Sequence, residues 1–345
     1  MKQTMKALVK DKAGPGVVMK DVDIPDLGPH DVLVKVKAAS ICGTDVHIYN
    51  WDGWASARIK PPVIIGHEMS GYIVQTGEAV KYWQEGDYVS LECHQTCGHC
   101  YQCRTGQGHI CRDYTILGVD FNGCFAEYVR VPEYNLWRND ENVLPEVACL
   151  QDPIGNAVMA TCAAEITGKK ILVTGCGSIG LLTVGVAKAL GAAQIYAVDI
   201  NDYRLKIAED MGATATINPL RENMVEEVQI KTRGCGVNVV IEASGDERCL
   251  QDSLKTVNNG GQVVLLGIYK DRVLLDLANE VIFKGVTITG ITGREIFKTW
   301  YKTAELLSSY LNVEPVITHK MKMKDYEAAF QLIQTGQCGK IVLYP

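Results

Sequence analysis

Through the first half of the chain, short apolar runs alternate with turn residues. Residues 7–9, 32–38, 71–76, 87–91 and 125–131 carry the period-two alternation of strands. No long helical periodicity interrupts them, which predicts a β-rich domain in the form of a distorted barrel. The pattern changes near 152–155. From there, candidate strands at 170–174, 194–199, 213–217, 237–242, 262–267 and 286–290 are separated by helical stretches such as 179–190 and 202–211. Six β units with helical crossovers predict a doubly wound parallel sheet, so the fold class is α/β. The tail returns to a helix over 295–308 and a short strand over 340–343. One run, 171–187, carries no charge, but Gly175, Gly177, Gly180 and Gly185 break it and Lys188 ends it. It reads as a strand, a glycine turn and a buried helix, because a membrane span needs about 20 apolar residues.

Composition narrows the function classes. A length of 345 residues suggests two domains. The 47% apolar and 21% charged residues are an ordinary globular balance. A net charge of −6 without a basic block argues against nucleic acid and anionic membrane as partners. Thirteen cysteines follow a polar, charged stretch over 1–12 that does not read as a signal peptide. A reducing cytoplasm is therefore expected, with cysteines as metal ligands or small core residues.

Four of those cysteines carry the strongest signal. Cys97, Cys100, Cys103 and Cys111 form a C-x2-C-x2-C-x7-C run in a stretch, 93–113, almost without apolar residues. Such a lobe cannot order itself by burial. Four thiolates close a tetrahedral shell around structural zinc, which contributes on the order of 10–16 kcal/mol of apparent binding energy. An iron–sulfur cluster fits less well, because its bacterial motif has the fourth cysteine closer and followed by proline; here Arg112 follows Cys111.

Gly175-Cys176-Gly177-Ser178-Ile179-Gly180 is a G-x-G-x-x-G that follows a strand and opens a helix. In that context its glycines admit a pyrophosphate onto the helix N-terminus. Asp199 ends the next strand, 19 residues after Gly180, where an acid accepts hydrogen bonds from the ribose hydroxyls of NAD and repels the 2′-phosphate of NADP. Arg204 lies one helical turn further on; adenine stacking and a solvated helix residue are both open.

A second metal set is suggested by Cys42-Gly43-Thr44-Asp45-Val46-His47 after one strand and Gly66-His67-Glu68 before another. A catalytic zinc keeps few protein ligands and an open position. Cys42 and His67 are the firm ligands, and Glu68 and Asp152 compete for the rest of the shell. Zinc polarises a hydroxyl so that its proton leaves near neutral pH. Hydride then passes to NAD, and Thr44 and His47, a hydroxyl and an imidazole three residues apart, suit a proton relay.

These residues carry a resemblance. Cys42-Gly43-Thr44-Asp45, Gly66-His67-Glu68, the four-cysteine lobe and 175–180 resemble the zinc-containing medium-chain dehydrogenase/reductase family, over nearly the whole chain. The stretches ICGTDVHIYNWDGW (41–54), TCGHCYQC (96–103), GCFAEYV (123–129), DPIGNAV (152–158) and GREIFKTWYK (293–302) resemble its members that act on L-threonine. The resemblance implies a GroES-like catalytic domain over 1–153, with the zinc lobe at 93–113, completed by 294–345. A Rossmann NAD-binding domain would span 154–293, with the active site in the cleft between the two. It implies two zinc ions per chain. The catalytic ion would sit with Cys42, His67 and Glu68, near Asp152, and the structural ion with Cys97, Cys100, Cys103 and Cys111. NAD would meet Gly175, Gly177, Ile179, Gly180, Asp199 and Arg204, and the backbone near Leu266, Gly267 and Ile268 and near Ile291 and Thr292. The implied reaction is L-threonine plus NAD giving 2-amino-3-oxobutanoate plus NADH, in a cytoplasmic homotetramer. Polyol or 2,3-butanediol oxidation uses the same zinc and NAD machinery and stays open. A substrate carboxylate needs a cation, for which His94 and Arg294 are candidates; a subunit-interface ion pair is the other reading of Arg294.

Overall fold

The computed structural model describes residues 3–345, and by its internal contacts the chain divides into two compact units. The first comprises 1–152, 319–335 and 340–345, and the second 153–318 and 336–339.

In the first unit the strand Asp31–Ser40 is the hub. It pairs antiparallel with Met69–Thr76, Tyr128–Pro132 and Lys340–Tyr344 in a seven-stranded sheet. Its inward residues Val32, Val34, Val36 and Ala38 are buried. The register against Met69–Thr76 shifts twice, between Leu33 and Val34 and between Val36 and Ala38. Such bulges bend a sheet, which accounts for the distorted barrel expected from the alternation. A three-stranded sheet, Val18–Asp23, Thr4–Lys10 and Val63–Ile64, lies beside it in the same unit. Two helices that the alternation does not predict, Gly43–Asn50 and Gly53–Arg58, follow the hub strand. The first buries only Asp45 and Ile48, so it has no apolar stripe to announce it.

In the second unit six parallel strands lie in the order Ala215–Ile217, Gln194–Val198, Lys170–Thr174, Val237–Glu242, Val257–Leu265 and Thr287–Gly290. The order reverses between Lys170–Thr174 and Val237–Glu242, the switch point at which doubly wound sheets bind ligands. The helix Ser178–Ala189 buries eight residues in a row from Gly180 to Ala187, as a helix covered on both sides must. The run 171–187 thus resolves into a strand, a glycine turn and this helix. No helix among the described residues is long and apolar enough to cross a membrane. The strand expected at 262–267 begins earlier, at Val257, because a register shift in its pairing with Val237–Glu242 absorbs the turn-like Asn258-Asn259-Gly260-Gly261.

The tail differs from the expected division at 294. Residues 294–318 group with the nucleotide unit. The helix Lys298–Ser309 buries Trp300, Thr303 and Leu306, and Leu311 lies close enough to Gly185 to touch an added Cβ at 3.2 Å. The return to the first unit comes at His319.

Candidate metal centres and nucleotide site

The first centre is assembled from three chain segments. Cys42 ends the turn after the hub strand and caps the helix Gly43–Asn50. His67 and Glu68 follow Gly66, whose φ of 89° and contact with the Phe125 ring leave no room for a side chain. Asp45 ties the two segments: its carboxylate accepts the Cys42 N–H at 2.9 Å and the Gly66 N–H at 3.2 Å. It is wholly buried, and burial pushes its pKa up. One donor atom each from Cys42, His67 and Glu68 lies within 4.8 Å of the others. Asp152, in the first turn of the helix Gln151–Cys162, is buried but outside that cluster.

The donor set fits a zinc ion. His67 Nδ1 is buried with no hydrogen-bond partner, and Asp45 Oδ1 stands 3.8 Å away, beyond bonding reach. Burial alone would lower the His67 pKa. The negative field of Cys42, Asp45 and Glu68 outweighs it and pushes the imidazole up to about 10. The cluster therefore attracts positive charge where a cation would sit. Glu68 Oε2 is taken by Lys340 Nζ at 2.5 Å and by the Ser40 hydroxyl, both from inside the unit. Its Oε1 takes no hydrogen bond from the described residues.

Thr44 and His47 lie in the helix after Cys42. The Cys42 thiol donates to Thr44 Oγ1 at 3.8 Å. His47 Nδ1 is hydrogen-bonded to Asp52 Oδ2, and Asp52 Oδ1 caps the next helix through the Ala55 N–H at 3.0 Å. His94 Nδ1 is 2.7 Å from Glu92 Oε1, and its ring tilts against Tyr114. Arg294 is 1% exposed, stands over the Trp300 ring at 5.6 Å, and donates to Asn156 Oδ1 at 3.4 Å.

The second centre is the lobe. Its four sulfurs stand 3.4–3.9 Å apart around the ring Cys111–Cys97–Cys103–Cys100. A tetrahedron with metal–sulfur bonds near 2.3 Å has edges of about 3.8 Å, so the spacing fits zinc. Backbone N–H groups of Cys103 and Arg112 pull the Cys100 thiol down to about 6. Burial, then the neighbouring thiols, push Cys103 up to about 11.

In the nucleotide unit Gly175 has φ 83°, and an added Cβ would lie 2.7 Å from Ser244; one on Gly180 would lie 1.8 Å from the Gly175 carbonyl. Gly177, in contrast, faces open space at the N-cap of the helix, where a pyrophosphate approaches. Ile179 lies in that helix's first turn. Asp199 accepts the Cys176 N–H at 2.6 Å and the Asn201 N–H at 2.8 Å. Arg204 Nε is buried without a partner. Ile268 is 92% exposed beside half-buried Leu266 and Gly267, and Ile291 and Thr292 follow the strand Thr287–Gly290.

The sequence pattern singled out Cys42, His67 and Glu68 but assigned no role to Ser40, Asp45, Asp52, Glu92 or Lys340. Asp45 and Asp52 had a local signal, an acid at the third position of one helix and at the N-cap of the next. Lys340 had none, since its partner lies 272 residues away.

The alcohol dehydrogenase GroES-like domain matches residues 28–141, and the zinc-binding dehydrogenase domain matches residues 178–309. The chain belongs to the zinc-binding alcohol dehydrogenase family. It is 49% identical to an L-threonine 3-dehydrogenase of Bacillus licheniformis, covering 100% of both chains. It is 48% identical to one of Pyrococcus horikoshii, covering 99% of each. Among solved structures, 2R,3R-butanediol dehydrogenase from Bacillus subtilis superposes with a TM-score of 0.90 at 29% identity over 99% of each chain. A putative zinc-binding dehydrogenase from Sinorhizobium meliloti bound to NADP gives 0.93 at 27% identity over 100% of each.

Proposed function

We propose that the protein oxidises the secondary hydroxyl of L-threonine with NAD, giving 2-amino-3-oxobutanoate and NADH. The observation that carries this is the gathering of donor atoms from Cys42, His67 and Glu68 within 4.8 Å of one another, in a chain nearly half identical over its full length to L-threonine 3-dehydrogenases. Cys42, His67 and Glu68 would hold the catalytic zinc, with Asp152 acting nearby. Zinc held there supplies a Lewis acid toward the substrate hydroxyl. Thr44 Oγ1 takes the hydroxyl proton and passes it to His47. Asp52 occupies His47 Nδ1, so Nε2 is the end that receives the proton and hands it to water. Cys97, Cys100, Cys103 and Cys111 hold the structural zinc.

Gly175, Gly177, Ile179 and Gly180 receive the pyrophosphate, Asp199 the adenosine ribose and Arg204 the adenine. The segments Leu266–Gly267–Ile268 and Ile291–Thr292 meet the nicotinamide end. His94 bonds the substrate carboxylate. Arg294, buried beside Gly155, Asn156 and Trp300, is the second candidate cation for that carboxylate, with a subunit-interface ion pair as its other role. The exposed apolar side chains Leu274, Leu277, Ile282 and Phe283, close to the edge strand Thr287–Gly290, support a homotetramer, and the four-thiolate lobe suits the reducing cytoplasm.

The test is NADH formation by the zinc-loaded protein with L-threonine, sorbitol, galactitol and 2,3-butanediol. Preference for threonine by about tenfold or more in kcat/KM is expected. An inert threonine beside a turned-over diol or polyol would reassign the substrate.

A further inference from the structure

Glu242 ends the central strand Val237–Glu242 of the nucleotide unit and is wholly buried. No lysine or arginine among the described residues pairs with it. Its carboxylate is instead enclosed by neutral donors: the Ser244 N–H at 2.7 Å, the Gly245 N–H at 3.1 Å, the Tyr269 hydroxyl at 2.6 Å, Thr174 Oγ1 at 3.4 Å and the Ser244 hydroxyl. Its carbonyl accepts the N–H groups of Leu266 and Gly267 at 2.8 and 2.9 Å. A buried carboxyl without a counter-charge persists only where such donors converge on it. Burial, then the bond to Glu242, holds the Tyr269 phenol well above its ordinary pKa, so it remains a donor.

Three loops at the carboxyl edge of the sheet meet at this knot. A Cβ on Gly175 would lie 2.7 Å from Ser244, one on Gly245 would lie 2.5 Å from the Ile268 carbonyl, and one on Gly267 would lie 2.3 Å from the Gly245 nitrogen. The backbones are in direct contact, with Ser244–Gly245 seated between the other two loops.

We infer that Glu242 and Tyr269 are positioning residues for the coenzyme. Through the Tyr269 hydroxyl, Glu242 sets the segment Leu266–Ile268 against the turn Gly175–Gly180, so that one rigid edge receives both ends of a dinucleotide. The inference rests on the reading of 266–268 as the nicotinamide contact.

Tyr269→Phe removes one hydroxyl and keeps the ring. The expected result is a Kd for NADH raised about tenfold, the order expected for losing a hydrogen bond to a charged acceptor. The Kd for ADP-ribose, which lacks the nicotinamide, stays within twofold, as do the zinc content and the KM for threonine. Glu242→Gln, which keeps an oxygen for the Ser244 and Gly245 amides, weakens NADH in the same selective way. The double variant loses no more than the worse single, because both act through one link. An unchanged NADH Kd in Tyr269→Phe overturns the inference. Equal weakening of NADH and ADP-ribose also overturns it, since a general loosening of the unit acts on both. A wild-type protein that binds ADP-ribose but gains nothing from the nicotinamide overturns the assignment of 266–268 first.

Discussion

Glu68 and Lys340 form an ion pair in which both side chains are 1% exposed. Burial pulls the lysine's pKa down, and the charges of Glu68 and Cys42 more than restore it. A buried pair gains little over a hydrophobic pair, but breaking it strands a charge. Lys340→Met is therefore expected to cost about 3–5 kcal/mol of stability by denaturant unfolding. A loss below about 1 kcal/mol would show that the pair is solvated in solution. The gathering of Cys42, His67 and Glu68 was legible because each sits in a short motif among glycines. Lys340 was not, because nothing in its own neighbourhood, Gly339 and Ile341, marks it as the partner of a residue hundreds of positions earlier. Arg294 had a residue type that suggested a cation for a carboxylate, but its burial beside Gly155 and Trp300 could not be read from the sequence.

Among the elements, the lobe has little structure of its own: a four-residue helix, Tyr101–Arg104, a three-residue 3-10 turn, Gly108–Ile110, and a two-residue pairing of His94–Gln95 with Thr115–Ile116. Without an apolar core, its order depends on metal. Cys100→Ser is expected to cut zinc from two ions per chain to one. It should also raise amide exchange across 97–113 while leaving the parallel sheet protected; full protection of a metal-free lobe would contradict this. The neighbouring strands Tyr88–Leu91 and Leu136–Arg138 are joined by a bidentate bond from Arg138 to Asp87, at 2.6 and 2.9 Å. The Arg138 guanidinium holds the Asp87 carboxyl below its usual range. A depressed pKa stabilises the fold above the unfolded value, near 4, and that contribution disappears as pH falls through the folded value. Asp87→Asn should thus be less stable than wild type by a constant margin from about pH 5 to 8, shrinking to nothing toward pH 2. A margin that is the same at pH 2 and 7 would exclude the ion pair as its source. The parallel strands were readable because both faces are buried and their runs are apolar. The helix Gly43–Asn50 was not, because its order comes from capping and from Asp45 rather than from a stripe.

For the molecule as a whole, the change of periodicity near 152 marks where the first unit hands over to the second. By contacts the chain rejoins the first unit only at His319, and a helical pattern over 295–308 does not say which unit it packs against. The strand Lys340–Tyr344 then enters the first unit's sheet, between Asp31–Ser40 and the edge strand Ile317–Lys322. Deleting 340–345 is expected to remove Lys340 and the hub strand's partner together. Such a chain should keep NADH binding by fluorescence, yet lose the zinc held by Cys42, His67 and Glu68. Retention of both zinc ions would show that the sheet closes without this strand.

That insertion also gives the protein an order of assembly in time. Domains fold as they emerge from the ribosome, amino end first. Here the first unit emerges early but stays open until the entire nucleotide unit has been translated behind it. A nascent chain stalled within that unit carries Cys42, His67 and Glu68 without the strand that brings Lys340 to Glu68.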